Sequence, residues 1–424
     1  MKVAVIGTGI SGNVAARHLD RDHDVTVFEA NDYVGGHTHT HDVQWAGRQY
    51  AVDTGFIVFN EKTYPNFISL LDELGVEARP TTMSFSVRDE RSGLEYNGHS
   101  LNTLFAQRTN LFRPAFLGMI RDIVRFNREA PLALAPDAPE MGLGEYLARG
   151  GYGRMFIDHY IVPMGAAIWS TDAVRMQAFP ARFFIRFFQN HGLLDIRDRP
   201  KWYVIRGGSR EYVTPLISPF RNRIRLNSAV ESVRRLPTHV EIKVRHRPIE
   251  RFDAVFIASH SDQALAMLSD ASPVEREVLG AIRYQENEAV LHTDSSLLPR
   301  RQRAWAAWNY HVLAEPGERV PVTYNMNILQ GLDAPVQFCV TLNNSKAVDP
   351  RRVIDRMTYD HPMYTPESVA AQQRQHEING ANRTYFCGAY WRNGFHEDGV
   401  VSALNALKHF EEVRNEELYL RRAG

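Results

Sequence analysis

The sequence predicts an α/β protein that begins with a parallel sheet and carries a second, discontinuous domain. Three observations predict this class: a short apolar run at residues 2–6, a glycine-rich turn directly after it, and a second apolar run that ends at Glu29. A continuous apolar run of this length suits a strand that is buried on both faces of a parallel sheet. The helix-like segment between the two runs completes a strand–helix–strand unit.

The turn after the first strand has the spacing GxGxxG. Gly7 allows a tight turn, Gly9 lets the backbone approach a pyrophosphate, and Gly12 lets the helix pack closely on the strand. Glu29 follows at about the 20-residue spacing expected of an acid that binds ribose hydroxyls, and the helix N-terminus attracts phosphate. We predict a dinucleotide site, with a purely structural strand–helix–strand unit as the alternative. The predicted contacts are Gly7, Gly9, Ile10, Ser11, Gly12, Glu29 and Ala30.

The stretch GGHTHTHDV places His37, His39 and His41 at alternate positions behind the glycine pair Gly35 and Gly36. Alternate side chains of a strand share a face, so three imidazoles there could bind a metal. The stretch brings no carboxylate or thiolate ligand of the kind that usually completes such a site. We therefore favour a loop that enters a strand beside the cofactor, and we predict no metal.

Composition narrows the class of partner. The formal net charge is zero, with 44% hydrophobic and 23% charged residues, so we expect no nucleic acid partner, which would need a basic face. The two cysteines form no disulfide framework, and no apolar run reaches the roughly 18 residues of a membrane span. The opening strand shows no signal peptide. We expect a cytoplasmic protein, with contact at the inner face of the membrane as a further expectation; the oligomeric state stays open.

The segment EANDYVGGHTHT resembles the flavin-containing amine oxidase and phytoene desaturase superfamily. In that family the strand-end glutamate leads to a Gly-Gly pair, usually followed by an arginine near the FAD phosphates. This chain has His37 in place of the arginine. The resemblance implies FAD held non-covalently and adds Gly35, Gly36, His37 and Thr38 to the predicted cofactor contacts.

Three later segments continue the resemblance: 50–77 with its D-x-G sequence, 204–235, and 384–407. In the family the first runs beside the flavin ring, the second contacts adenine, and the third ends in a helix whose N-terminus faces the isoalloxazine. Asp398 is expected to cap that helix as its N-cap residue. The further cofactor contacts that the resemblance implies are Gly55, Phe56, Ile57, Val230, Gly388, Asp398, Gly399 and Val400.

The order of these segments implies a Rossmann-like FAD-binding domain of the glutathione reductase type, made of residues 1–77, 201–264 and 376–424. A substrate-binding domain of the α+β class is then inserted twice, at 78–200 and 265–375. No second GxGxxG follows a strand, so we expect no separate NAD(P)H domain. The substrate would reduce the flavin, and oxygen or another acceptor would reoxidise it.

Candidate catalytic residues lie around the last motif. Phe395 matches an aromatic that walls the flavin pocket in family amine oxidases, and Tyr390 lies close by; a core role is the alternative for both. His396 or Glu397 is the candidate base. Many family amine oxidases use a lysine near flavin N5, and this chain has none between Lys243 and Lys346. Weaker polar candidates, for which a structural role is favoured, are His292, Tyr310, His311, Tyr324 and Asn325.

The phrases SLNTLFAQR, MGAAIWST and VIRGGSR look like a bacterial subgroup associated with fatty-acyl modification. That resemblance implies desaturation of an apolar acyl chain by hydride transfer to flavin N5. The segments 104–129 and 181–194 mix bulky apolar residues with arginines, as helices on an anionic bilayer do. A wall of the substrate domain is the slightly favoured alternative, and both could hold. Amine oxidation, flavin-dependent isomerisation and non-catalytic dinucleotide binding also stay open.

Overall fold

The amino-terminal glycine turn lies at the carboxyl end of a strand in a five-stranded parallel sheet. The computed structural model describes residues 1–195, 199–315 and 321–423. In spatial order the strands of this sheet are Ile224–Arg225, Asp24–Phe28, Lys2–Ile6, Ala254–Ile257 and Thr384–Phe386. Neighbouring strands pair in parallel throughout. The predicted α/β class is confirmed.

Helices and a small sheet cover the two faces of the parallel sheet. On one face Val3 and Val5 pack against Phe67, Tyr212 and Ala403. That layer contains the helices Ile10–Leu19, Pro65–Leu74, Arg210–Ile217 and His396–Ala423. The opposite face carries the antiparallel strands Val230–Arg235, Val240–Val244 and Glu250–Phe252 with the helices Ser261–Met267 and Pro273–Ala281. The sheet is therefore buried on both sides, which explains its continuous apolar strands.

A mixed seven-stranded sheet forms the centre of the second domain. In spatial order its strands are Val353–Pro362, Tyr284–His292, Cys339–Leu342, Val322–Asn325, Trp308–Val312, Phe85–Asp89 and Glu95–Asn97. Only the pair Trp308–Val312 and Phe85–Asp89 is parallel. This sheet joins two parts of the chain that are about 200 residues apart, as a twice-inserted domain requires.

Helices between residues 101 and 190 cover one side of this sheet. Their core contacts come from phenylalanines such as Phe116, Phe126, Phe184 and Phe188, all buried. The α-helices of the second domain and its flank are Leu101–Leu104, Pro114–Glu129, Leu143–Arg149, Arg154–Phe156, Val162–Trp169, Ala173–Ala178, Ala181–Asn190, Met326–Leu329 and Pro366–Gln372. A π-helical turn, Ile157–Ile161, joins two of them.

Short elements complete the chain. The strands Val58–Asn60, Trp202–Ile205 and Ala78–Thr81 form a small antiparallel sheet, and Thr40–Trp45 pairs with Arg48–Asp53 as a hairpin. The 3-10 helices are Arg108–Phe112, Ala130–Leu134, Ser218–Arg223, Ser295–Leu297, Gln302–Ala304, Ser345–Ala347, Pro350–Arg352, Gln375–Glu377, Ala381–Arg383 and Ala389–Trp391. Within the described residues, no helix is long and apolar enough to cross a membrane.

Packing at one predicted domain boundary differs from the sequence expectation. The predicted segment 265–375 begins in the second domain, yet Val278 and Leu279 pack with Ile6 and Ile257 of the parallel sheet. Helix Pro273–Ala281 therefore covers the first domain, because its apolar face has that sheet layer as its partner. The parts of the predicted second domain at 196–198 and 316–320 lie outside the described residues.

Candidate functional site

A cavity of about 810 Å³ runs from the amino-terminal glycine turn to the seven-stranded sheet. It brings together most of the residues that the sequence predicted. The predicted residues that line it are Gly7, Gly9, Ile10, Ser11, Glu29, Ala30, Gly35, Gly36, His37, Gly55, Phe56, Ile57, Val230, Gly388, Tyr390, Phe395 and His396. Segments far apart in the chain thus meet at one site.

The end of the cavity at the glycine turn, here called the cradle, is built from backbone around Gly7, Gly9, Gly12 and Gly36. Gly7 has φ +100°, and a Cβ on Gly12 would lie 2.0 Å from the Gly7 carbonyl oxygen. That contact shows how closely the helix packs on the strand. A Cβ on Gly9 would meet nothing within 4 Å, and a Cβ on Gly36 would lie 3.1 Å from Gly9 Cα. The cradle is bare backbone at a helix N-terminus, which suits a pyrophosphate.

The Glu29 carboxylate is fixed at the edge of the cradle. It accepts hydrogen bonds from the Thr8 N–H at 2.9 Å, the Thr8 hydroxyl at 2.5 Å and the Asn31 N–H at 2.9 Å. Glu29 is buried and lines the cavity. A carboxylate held in this way is positioned to accept hydrogen bonds from ribose hydroxyls.

His37 occupies the position at which the sequence resemblance implies an arginine. Its Nε2 atom is buried and has no hydrogen-bond partner in the protein, and burial lowers the pKa of His37 to about 4. Its ring centroid lies 6.0 Å from that of His260 and 5.8 Å from that of His361. An orphaned buried nitrogen beside a bare backbone cradle is the environment that a cofactor oxygen would satisfy. The residues present therefore fit FAD.

The other two histidines of the stretch bind different partners. His39 Nδ1 lies 3.1 Å from the Tyr359 hydroxyl, and His41 Nε2 lies 3.1 Å from the Thr54 hydroxyl. His41 Nδ1 also lies 3.1 Å from a carboxylate oxygen of Asp355. Among the described residues, no group of three or more His, Cys, Asp and Glu side chains is placed to hold a metal ion.

His396 begins the last helix and stands between the cavity and a buried polar cluster. Its ring stacks on Phe56, with centroids 3.5 Å apart and planes 11° apart. Its Nε2 lies 3.0 Å from the Thr38 hydroxyl oxygen and 2.9 Å from the Tyr212 hydroxyl oxygen. Burial holds the pKa of His396 well below its ordinary value. Thr38, predicted to touch the cofactor, lies behind the cavity wall and orients His396.

Glu397 and Asp398 do not line the cavity. Glu397 accepts hydrogen bonds from the Asn66 side-chain N–H at 2.7 Å and the Phe67 N–H at 2.9 Å, so it caps helix Pro65–Leu74. That Glu397 acts as a base stays a prediction, and both of its carboxylate oxygens already accept these hydrogen bonds.

The expectation that Asp398 is an N-cap is wrong. The helix begins at His396, two residues earlier, so Asp398 lies inside the first turn. It accepts the Phe395 N–H at 2.9 Å and the Asn393 N–H at 3.2 Å, as the inner residue of a capping box does. Burial raises the pKa of Asp398 to about 7. Its carboxylate fixes the loop that carries Phe395.

Three further predicted contacts serve packing. Gly12 lies under Gly7, and a Cβ on Gly399 would lie 2.7 Å from Ile10 Cγ2. Val400 is buried in the core of the first domain. These three residues do not line the cavity, but they let two helices pack close to the cradle.

The far end of the cavity, here called the chamber, has aromatic walls; the sequence pointed to two of these residues, Phe395 and Tyr324, and missed the others. The chamber residues are Ile168, Trp169, Trp308, Tyr324, Leu342, Tyr359, His361, Tyr364 and Phe395. Trp308 and Tyr324 face each other across paired strands with ring centroids 5.2 Å apart, and Phe395 stacks on Phe187 at 5.2 Å. The Tyr364 hydroxyl is buried without a partner. Of the five weaker polar candidates, Tyr324 alone lines the cavity.

One weak signal for the chamber was present in the sequence. Tyr359 and His361 alternate on the strand Val353–Pro362, so both side chains face the same way. Trp169 and Tyr364 carried no such pattern, because helix ends and long-range strand pairing bring them to the cavity.

Comparisons with known proteins agree with this geometry. The family model for flavin containing amine oxidoreductase matches residues 10–293, more than half of the chain. A Mycobacterium tuberculosis protein named as a flavin-containing monoamine oxidase is 27% identical over 248 residues, which are 55% of this chain and 51% of that protein. The chain therefore spans about half the length of the curated relatives it matches.

Solved structures share the fold along nearly the whole chain. The CLA-producing fatty acid isomerase from P. acnes superposes with a TM-score of 0.68 at 15% identity, covering 96% of this chain and 98% of that chain. Cyclohexylamine oxidase from Brevibacterium oxydans gives a TM-score of 0.67 at 16% identity, covering 97% and 99%. At such identities the likeness shows the fold, a Rossmann-like domain with a second domain.

Proposed function

Because the chain belongs to the family of flavin-containing amine oxidoreductases, we propose that it uses FAD to dehydrogenate an apolar, fatty-acyl substrate held in the chamber. Family membership makes the protein an FAD-dependent oxidoreductase. The substrate class is our proposal, and the walls of the chamber support it.

The observation that carries the proposal is the absence of a cation beside the substrate. Among the described residues that line the cavity there is no lysine or arginine. Burying a carboxylate or phosphate away from water costs several kcal/mol unless a partner compensates it. Apolar surface, by contrast, gains about 25 cal/mol per Å² on burial. The chamber therefore suits the hydrocarbon part of a substrate whose charged end stays outside.

The residues of the chain divide the work of dehydrogenation. FAD, when bound, accepts a hydride equivalent from a substrate C–H bond. Trp169 and Phe395 exclude water from the reacting end of the chamber, which strengthens the interactions inside it. The second hydrogen leaves as a proton, and the candidate acceptor is His396 Nε2, which lies within hydrogen-bond distance of the Thr38 and Tyr212 hydroxyls and is uncharged at neutral pH because burial lowers the pKa of His396. Glu29 and the cradle bind the nucleotide end.

Amine oxidation is the second candidate. It is favoured by the M. tuberculosis relative, which is named as a monoamine oxidase, and an uncharged amine would also fit an aromatic chamber. The lack of a lysine between Lys243 and Lys346 counts against it, as does the absence of both lysines from the described cavity lining. Isomerisation without net oxidation is a third outcome that the same experiment separates.

The test is anaerobic reduction of the bound flavin, followed by its absorbance. The holoprotein is mixed with simple primary amines and, separately, with phospholipids that carry unsaturated or methyl-branched acyl chains. We expect bleaching with the lipids and a product that has lost two hydrogens, measured by mass spectrometry. Bleaching by amines with no response to any lipid would replace this proposal by amine oxidation. A product of unchanged mass with a moved double bond would indicate isomerisation.

A further inference from the structure

Exposed apolar side chains are concentrated in one short part of the chain, between residues 101 and 132. Phe112 is 86% exposed, the highest value among the large apolar residues that the structure describes. The exposed large apolar residues of this part are Leu101, Leu111, Phe112, Leu117, Val124 and Leu132. Single exposed apolar residues are ordinary, but a cluster of them marks an interaction surface.

Helix Pro114–Glu129 presents two different faces. Its buried face carries Phe116, Met119 and Phe126. On the opposite face Leu117, Arg121, Val124 and Arg128 follow at i, i+4, i+7 and i+11 and form one exposed stripe. The two apolar residues of this stripe, Leu117 and Val124, are exposed, while Arg121 lies 3.9 Å from Asp122 and Arg128 lies 2.9 Å from Glu129.

Positive charge accompanies these apolar residues. Arg108, Arg113 and Arg121 lie between residues 101 and 121, and that interval contains no Asp or Glu. The next acid, Asp122, is buried and accepts the Gly153 N–H at 2.9 Å, so it belongs to the packed side of the helix. The exposed side is therefore cationic as well as apolar.

We propose that this surface docks on the face of a lipid bilayer that contains anionic lipids. The docking surface consists of Leu101, Arg108, Leu111, Phe112, Arg113, Leu117, Arg121 and Val124. The apolar side chains enter the boundary between headgroups and acyl chains, and the guanidinium groups stay at the headgroups. Anionic headgroups complement the arginines, which selects a bilayer over an apolar protein groove.

The second candidate segment from the sequence, 181–194, does not contribute. In helix Ala181–Asn190 the residues Phe184, Ile185, Phe187 and Phe188 are buried in the core of the second domain. Only polar residues of that helix, such as Arg186 and Gln189, are exposed. For this segment the wall interpretation is confirmed, and the docking surface lies only in the earlier part of the chain, between residues 101 and 124. Bilayer docking explains access to acyl chains, and in that respect it rests on the proposed function.

The experiment measures binding of the holoprotein to vesicles by cosedimentation, without any turnover. One set of vesicles is phosphatidylcholine, and the other is phosphatidylcholine mixed with phosphatidylglycerol. We expect binding to the mixed vesicles that Phe112→Ser with Leu117→Ser weakens at least about tenfold, since two apolar side chains leave the interface. Arg108→Gln with Arg113→Gln should weaken binding to mixed vesicles by roughly tenfold or more and leave phosphatidylcholine unaffected.

Val174→Ser is the matched control, because Val174 is 79% exposed on a different helix of the second domain. It should bind vesicles as the unchanged protein does, and all variants should keep the flavin absorbance that reports folding. Equal loss in the control, or full binding by the Phe112 and Leu117 variant, would overturn the proposal. A concentration-dependent dimer that the Phe112 and Leu117 variant abolishes would also overturn the proposal. Vesicle binding without lipid oxidation would leave docking intact and reject the proposed substrate.

Discussion

The cradle and the chamber are two ends of one cavity, and they are built in opposite ways. The cradle is glycine backbone, in which added Cβ atoms would lie 2.0 Å from a carbonyl at Gly12 or in open space at Gly9. The chamber is side chains, from Trp169 on a helix to Tyr324 and Tyr359 on separate strands of one sheet. The cradle is therefore fixed by local backbone conformation and the chamber by long-range packing.

The largest expected effects are on the free energy of unfolding and on FAD retention, and they differ between two glycines of the cradle. Gly12→Ala should lower the free energy of unfolding by about 3 kcal/mol or more, because the new methyl group overlaps backbone that cannot move freely. Gly9→Val should leave the free energy of unfolding of the FAD-free protein within about 0.5–1 kcal/mol and abolish FAD retention. Chemical denaturation and flavin absorbance measure the two effects. If Gly9→Val retains full flavin, the cofactor has been placed wrongly.

Low pH should destabilise the folded protein through three buried histidines that line the cavity. Burial lowers the pKa of His37 and His260 to about 4 and that of His361 to about 3. A histidine with a lowered folded-state pKa contributes stability that is present above its unfolded value, near 6.5, and is lost as pH falls through the folded value. The protein should therefore lose stability as pH falls from about 6.5 to about 3, the lowest of these folded-state pKa values.

The variant His361→Gln should recover part of that loss, on the order of 3 kcal/mol at pH 4. Denaturation curves at neutral pH and near pH 4 give the difference, and His376→Gln, at an exposed position, is the control. A pH dependence equal in all three proteins would show that the buried cluster does not govern acid stability.

The smallest effects compare two buried tyrosine hydroxyls. The Tyr212 hydroxyl lies 2.5 Å from the Thr38 hydroxyl oxygen and 2.9 Å from His396 Nε2, and the Tyr364 hydroxyl has no partner. Tyr212→Phe should cost about 1–2 kcal/mol in the free energy of unfolding, whereas Tyr364→Phe should be neutral or stabilising by up to about 1 kcal/mol. Equal losses from the two substitutions would contradict the difference in hydrogen bonding.

The same comparison explains what the sequence could predict. The cradle was predictable residue by residue, because glycine spacing, the strand-end Glu29 and the histidine stretch are short-range patterns with a known backbone consequence. The α/β class followed from the apolar strands for the same reason. His37 lines the cavity, and the absence of a partner for its Nε2 atom could be seen only in the structure.

The chamber could not be predicted in this way. Tyr364 and Trp169 come from segments with no shared pattern, and only the packing of helices on the seven-stranded sheet brings them together. Glu397 does not line the cavity, because its carboxylate accepts the Asn66 and Phe67 N–H groups at the start of the helix that begins at Pro65. The sequence shows which residues can act in a site, and the competition for hydrogen bonds decides which do.

The order of strands in the parallel sheet affects how the protein folds during its synthesis. Strand Lys2–Ile6 pairs with Ala254–Ile257, and that strand pairs in turn with Thr384–Phe386. The ribosome releases the first of these strands long before the last. A growing chain therefore lacks the edge strand Thr384–Phe386 and the segment that leads from it to His396. Chains of this size fold through partly assembled states. FAD can therefore bind its complete site only after His396 has been translated. Shorter nascent chains expose an incomplete sheet to which chaperones can bind.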